Sequence, residues 1–274
     1  MPYIETRDGT SLYLKDWNGG GRTVVLLHGW PLSADSWDDQ AVALAEAGYR
    51  VVAYDRRGFG RSDQPWVGYE YDTLADDLAD VLAAIGASDA TVVGFSMGGG
   101  EVARYMSRHG GKGLRQAALV SSVVPYMLQT PDNPEGVPQS QFDDMAQQMR
   151  ADRAGFFTTF FKQFYGSGLL FDAVSDEVET WSRQVALMAG LRPTLACAQA
   201  FATTDFRPDL SAFRVPTLII HGTGDKTVPI DASARPAAKG IANATLREYE
   251  GAPHGLNVTH KKELSQDLLT FLAR

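Results

Sequence analysis

Residue types able to do chemistry gather at three places in the chain, and the first is Gly94-Phe95-Ser96-Met97-Gly98. It follows the β-branched run Thr91-Val92-Val93 and precedes the helical pattern Glu101-Val102-Ala103-Arg104-Tyr105-Met106. A serine at so sharp a strand-to-helix turn sits in strained backbone, and side chains two residues before and two after it would collide. The flanking glycines therefore fit Ser96 as a projecting nucleophile. The same turn puts the Met97 backbone N–H at a helix start, where it can stabilise a developing oxyanion.

A serine hydroxyl is a weak nucleophile and needs a base, and the base needs an acid to fix its tautomer. Among five histidines, His254 stands in Gly251-Ala252-Pro253-His254-Gly255, a loop directly after the apolar run 245–249. Asp225, in Gly222-Thr223-Gly224-Asp225, follows the run 217–220 and lies between Ser96 and His254, giving the order nucleophile, acid, base. Asp205 and Asp209 precede that run and would have to reach in from elsewhere. His28 ends an earlier strand, His109 suits a helix C-terminus, His221 reads as a structural hydrogen-bonder and His260 as a surface residue. The second oxyanion donor is expected from Trp30 in His28-Gly29-Trp30-Pro31, after the run 24–27. Pro31 has no N–H and restricts the residue before it, which would hold that donor still.

The elements that must position these residues follow from the pattern of apolar runs. Runs at 24–27, 51–54, 91–93, 117–120, 217–220 and 245–249, separated by helical periodicity, predict a parallel sheet flanked by helices. Segments 3–5 and 12–17 flank Asp8-Gly9, a hairpin signal, and predict an antiparallel edge. The expectation is an α/β fold on a mostly parallel, eight-stranded sheet. Residues 73–85 read as an amphipathic helix with its acids toward solvent. Between 125 and 214 the rhythm breaks: Pro125, Pro131, Pro134 and Pro138 punctuate a loop, and helical segments rich in phenylalanine follow. This stretch reads as a helical cap inserted into a core of 1–124 and 215–274. Trp30, Pro31, Phe160, Phe164, Phe201 and Val228 are candidates for an apolar pocket lining.

Composition narrows the class of function. With 25 Lys+Arg against 33 Asp+Glu among 274 residues the net charge is −8, and no basic cluster exceeds Arg56-Arg57. Nucleic acid and anionic membrane are thus not expected partners. No apolar run approaches the roughly 18 residues of a membrane span. Charges at the N-terminus leave no export signal, so a cytoplasmic location is expected. The single cysteine, Cys197, permits no intrachain disulfide and reads as a small buried side chain. No two histidines show ligand spacing, so no metal site is expected.

At these residues the chain resembles an α/β-hydrolase, and more narrowly the bacterial arylesterases also called cofactor-free haloperoxidases or perhydrolases. The resemblance runs nearly end to end. Its motifs are His28-Gly29-Trp30-Pro31-Leu32, Asp55-Arg56-Arg57-Gly58-Phe59-Gly60-Arg61-Ser62, the Ser96 motif, Thr204-Asp205-Phe206-Arg207-Pro208-Asp209, His221-Gly222-Thr223-Gly224-Asp225 and Ala252-Pro253-His254-Gly255. It implies Ser96 as nucleophile, Asp225 as acid, His254 as base, and the Trp30 and Met97 amides as oxyanion donors. It further implies a small ester as substrate and water or hydrogen peroxide as acyl acceptor, without haem or metal. Proline after the oxyanion tryptophan is typical of members that also make peracids, and members usually form trimers or hexamers. A lactonase or γ-lactamase would use the same acyl chemistry. Dehalogenases and epoxide hydrolases would carry aspartate where Ser96 stands. A non-catalytic small-molecule sensor on this fold would need the pocket but not the three residues.

Overall fold

A computed structural model describes residues 2–168 and 173–274. Its sheet opens with β1 (Tyr3–Glu5) and β2 (Ser11–Asp16), an antiparallel hairpin closed at Asp8-Gly9. The strands β3 (Thr23–Leu27), β4 (Arg50–Tyr54), β5 (Ala90–Phe95), β6 (Leu114–Val120), β7 (Thr217–Gly222) and β8 (Ala244–Tyr249) follow. Their spatial order is β1-β2-β4-β3-β5-β6-β7-β8. β2 meets β4 antiparallel, and every pairing beyond it is parallel. The central strands read as unbroken apolar runs because both of their faces are covered, and all six residues of β5 are buried.

Covering the sheet are α1 (Asp38–Glu46), α2 (Tyr71–Ala84), α3 (Met97–His109), α4 (Gln139–Tyr165), α5 (Asp176–Met188), α6 (Leu191–Thr203), α7 (Ala234–Gly240), α8 (Leu256–Thr259) and α9 (Lys261–Leu272). α1 packs with α9, and α2 with α3. α2 begins two residues before the expected start, and one of its acids departs from the solvent-facing expectation. Asp77 is buried and accepts two hydrogen bonds of 2.6 Å from Arg57. A charged residue flanking the apolar stripe looks solvated when the partner that buries it stands on a loop twenty positions earlier. Cys197 is fully buried, and burial pushes its thiol up to about 12.

α4, α5 and α6 lie between β6 and β7, where the inserted segment is expected, and α4 packs against both of the others. Within the expected span 125–214, residues 169–172 lie outside the described ones. α4 is broken at Asp152 (φ −154, ψ 90). There the Asp152 carboxylate accepts the Gly155 N–H at 2.9 Å and so starts the second half as a helix cap does. That second half carries five of the helix's six phenylalanines, of which Phe157, Phe161 and Phe164 are fully buried. Among the described residues no single helix is long and apolar enough to cross a membrane.

Candidate active site

The loops leaving the carboxyl ends of β3, β5, β7 and β8 open on one edge of the sheet, the edge where open α/β sheets bind ligands. Ser96 directly follows β5 and holds φ 53, ψ −116, a conformation that costs a residue with a side chain about 1–3 kcal/mol. The glycines around it are required by contact. A Cβ on Gly94 would come within 2.5 Å of the Gly98 carbonyl oxygen, and one on Gly98 within 2.6 Å of that of Leu27. The turn then feeds directly into α3 at Met97.

His254 lies five residues beyond β8. Its Nε2 is 3.0 Å from the Ser96 hydroxyl and its Nδ1 is 2.6 Å from a carboxylate oxygen of Asp225. A carboxylate only accepts, so Nδ1 carries the hydrogen, and the Nε2 lone pair is left to accept from Ser96. Phe164 packs edge-on against the imidazole at 4.8 Å, Phe95 lies 5.3 Å from it, and the Ser121 hydroxyl donates to the His254 carbonyl at 3.0 Å. The ring is therefore fixed on several sides.

The other oxygen of Asp225 accepts the Thr227 and Val228 backbone N–H groups, both at 2.8 Å. His221 Nε2 lies 2.9 Å from the Val228 carbonyl and 3.2 Å from the carboxylate oxygen that faces His254. Both are acceptors, so Nε2 is the protonated nitrogen and its hydrogen is shared between them. Burial alone would raise the Asp225 carboxyl. The charge available on His254 and the N–H groups of His221 and His254 outweigh it and hold the carboxyl well below the usual carboxylate range.

Trp30 follows β3 by three residues, and its indole N–H donates to the Thr194 carbonyl at 3.0 Å, which ties the loop to α6. The Trp30–Pro31 peptide is cis. Among the described residues the backbone N–H groups of Trp30 and Met97 donate to no other backbone group. Beneath this loop, Arg56 donates to the His28 carbonyl at 2.6 Å and through its own amide to His28 Nε2 at 2.9 Å. Arg56 also forms a buried ion pair with Glu101 of α3, whose other oxygen accepts from Tyr54 at 2.8 Å. Burial, with the Arg56 charge beside it, drives the His28 pKa far below its ordinary value and keeps that ring neutral.

Ser96 and His254 face a cavity of about 60 Å³, small against the several hundred Å³ typical of drug-sized sites. Trp30, Phe160, Phe201 and Val228 line it, all four among the residues expected there. Pro31 and Phe164 are not in its wall: Phe164 backs the His254 ring instead. Asp205 pairs with Arg207, and Asp209 with Arg104 and Ser107, so neither turns toward Ser96.

Sequence reasoning did not select Met127, Phe142, Met145 and Thr227, which also form the wall. The first three come from the loop and helix between β6 and β7, where no periodicity marks the inner face. Thr227 was legible in principle as the second residue after Asp225. Its hydroxyl is buried with no hydrogen-bond partner among the described residues. Phe142 and Met145 also border a larger cleft of about 510 Å³ that Tyr69, Arg150 and Arg192 help to form.

An eight-stranded sheet with aspartate, histidine and serine in hydrogen-bonded line at its carboxyl edge defines a class, and the family comparison agrees with it. The α/β-hydrolase fold family matches residues 22–261, and the chain belongs to it. The chain is 43% identical over 274 residues to a non-heme chloroperoxidase of Kitasatospora aureofaciens, covering 99% of each. It is 40% identical over 275 residues to a bifunctional esterase/perhydrolase of Acinetobacter calcoaceticus, again covering 99% of each. The crystal structure of a bromoperoxidase from Bacillus anthracis superposes with a TM-score of 0.95 at 43% identity, over 99% of this chain and 100% of that one.

Proposed function

We propose that the protein is a serine ester hydrolase for small acyl groups that also passes the acyl group to hydrogen peroxide. One observation carries the reading: the unbroken line from Asp225 through His254 to Ser96, at 2.6 and 3.0 Å, opening on a small apolar cavity. The esterase/perhydrolase and chloroperoxidase relatives support the same chemistry.

In this mechanism Ser96 Oγ attacks the ester carbonyl while His254 Nε2 takes its proton, and Asp225 steadies the imidazolium that forms. The Trp30 and Met97 amides receive the developing oxyanion. His254 then hands the proton to the departing alcohol and leaves the acyl group on Ser96. Water entering the same place, deprotonated by His254, releases a carboxylic acid. Hydrogen peroxide in its stead releases a peracid, which can oxidise halide ions away from the protein. The α4–α6 segment serves as the cap that closes the cavity over the acyl group and sets its size.

The test pairs p-nitrophenyl acetate hydrolysis with peracetic acid formation from acetate and hydrogen peroxide, each in the wild type and in Ser96→Ala. Both activities should be present and should fall by about 10⁴-fold or more in the variant, since the three residues act as a unit. A loss under about tenfold would remove Ser96 from the role of nucleophile.

A further inference from the structure

We infer that Met127 and Met145 are sites of self-oxidation during peracid synthesis, converted to sulfoxide by the peracid before it leaves the cavity. The inference rests on the acyl-transfer reading above, because that reaction supplies the oxidant. Both methionines line the 60 Å³ cavity that Ser96 and His254 also line. A peracid released from Ser96 therefore forms within a space bordered by two thioethers. Thioether sulfur is the softest electron donor in that wall, and the other lining groups in contact with the product are mostly phenyl, indole and aliphatic.

The step balances without a further reagent. The sulfur lone pair attacks the terminal peroxy oxygen, the O–O bond breaks, and the peracid proton moves to the departing carboxylate oxygen. The sulfur is oxidised by two electrons and the peracid is reduced to the carboxylic acid.

Exposure separates this route from attack by bulk oxidant. Met127 is 2% exposed, whereas Met188, on the outer surface of α5, is 49% exposed. Oxidant arriving from solvent should reach Met188 far ahead of Met127. Oxidant generated in the cavity should reverse that order. Met145 also borders the 510 Å³ cleft beyond the cavity, so product leaving by that side passes it. Sulfoxide at either position puts a polar, hydrogen-bonding oxygen into an apolar wall, and acyl binding should weaken as it accumulates.

The experiment follows sulfoxide at each methionine by peptide mass mapping while the intact enzyme works in acetate and hydrogen peroxide. Ser96→Ala under the same conditions and wild type in peroxide without acetate are run in parallel. The expected result is sulfoxide at Met127 and Met145 forming at least about fivefold faster in the working enzyme than in either control, while Met188 oxidises alike in all three. A Met127→Leu/Met145→Leu variant of similar side-chain volume should hold its own initial rate of peracid formation several-fold longer. Equal oxidation of Met127 and Met145 in the controls would assign the damage to bulk peroxide and overturn the inference. So would a working enzyme that accumulates peracid with both residues still reduced. If no peracid forms at all, the proposed transfer of the acyl group to peroxide fails, and the inference falls with it.

Discussion

Asp225 is ionised because of what surrounds it, and this has a consequence for pH. Its carboxyl titrates below the value near 3.9 of an unfolded chain, so the ionised side chain contributes stability above about pH 4 and loses it as pH falls through the folded value. Asp225→Asn removes that contribution. The stability gap between wild type and Asp225→Asn, from urea unfolding at a series of pH values, should be full near neutrality and narrow below about pH 4. A gap that stays constant down to pH 3 would contradict the described surroundings of the carboxylate. Ser96, Asp225 and His254 were legible at this scale because a strained turn and a fixed chain order leave marks in the sequence. His221 was legible only as a hydrogen-bonder: that it shares its N–H with Asp225 depends on the curl of the loop 222–228. Thr227 had a mark in its place two residues after Asp225, but its unpartnered hydroxyl had none, because that is a property of its packing.

At the scale of elements, the two backbone N–H groups proposed to receive the oxyanion come from different segments, the β3 loop and the start of α3, and something must hold these in register. Arg56 does so from the end of β4, bonding to His28 on one side and to Glu101 of α3 on the other. Arg56 and Glu101 are each 1% exposed. Glu101→Gln should leave the guanidinium buried without a counter-charge and cost about 3 kcal/mol or more by urea unfolding, against near zero for a solvated pair. A cost below about 0.5 kcal/mol would show that the pair does not brace these segments. The strands themselves were plain in the sequence, since β-branched runs between helical patterns have few other readings. Glu101 was visible only as part of a helical pattern and Asp77 was read as solvated, because a buried charge is recognised by its partner and both partners sit on the loop after β4. The break in α4 at Asp152 was equally hidden, lying inside a segment whose polar and aromatic residues keep helical spacing across it.

At the scale of the molecule, the parallel sheet does the assembling: residues 30, 96, 225 and 254 meet because each follows a strand that ends on the same edge. This was legible, as strand order and crossover rules leave that edge little freedom. The cavity was not, because its inner face depends on how α4 and α6 settle over the edge, and that placed Met127, Phe142 and Met145 where no periodicity pointed. The central claim is that one acyl-serine serves both water and peroxide. It is tested most directly by titrating Ser96 with a p-nitrophenyl phosphonate, quantifying the labelled fraction by peptide mass, and measuring both activities on each sample. Ester hydrolysis and peracid formation should fall together, in proportion to labelling, and both should vanish when Ser96 is fully modified. Peracid formation that persists in fully labelled protein would place the peroxide chemistry elsewhere and contradict the account.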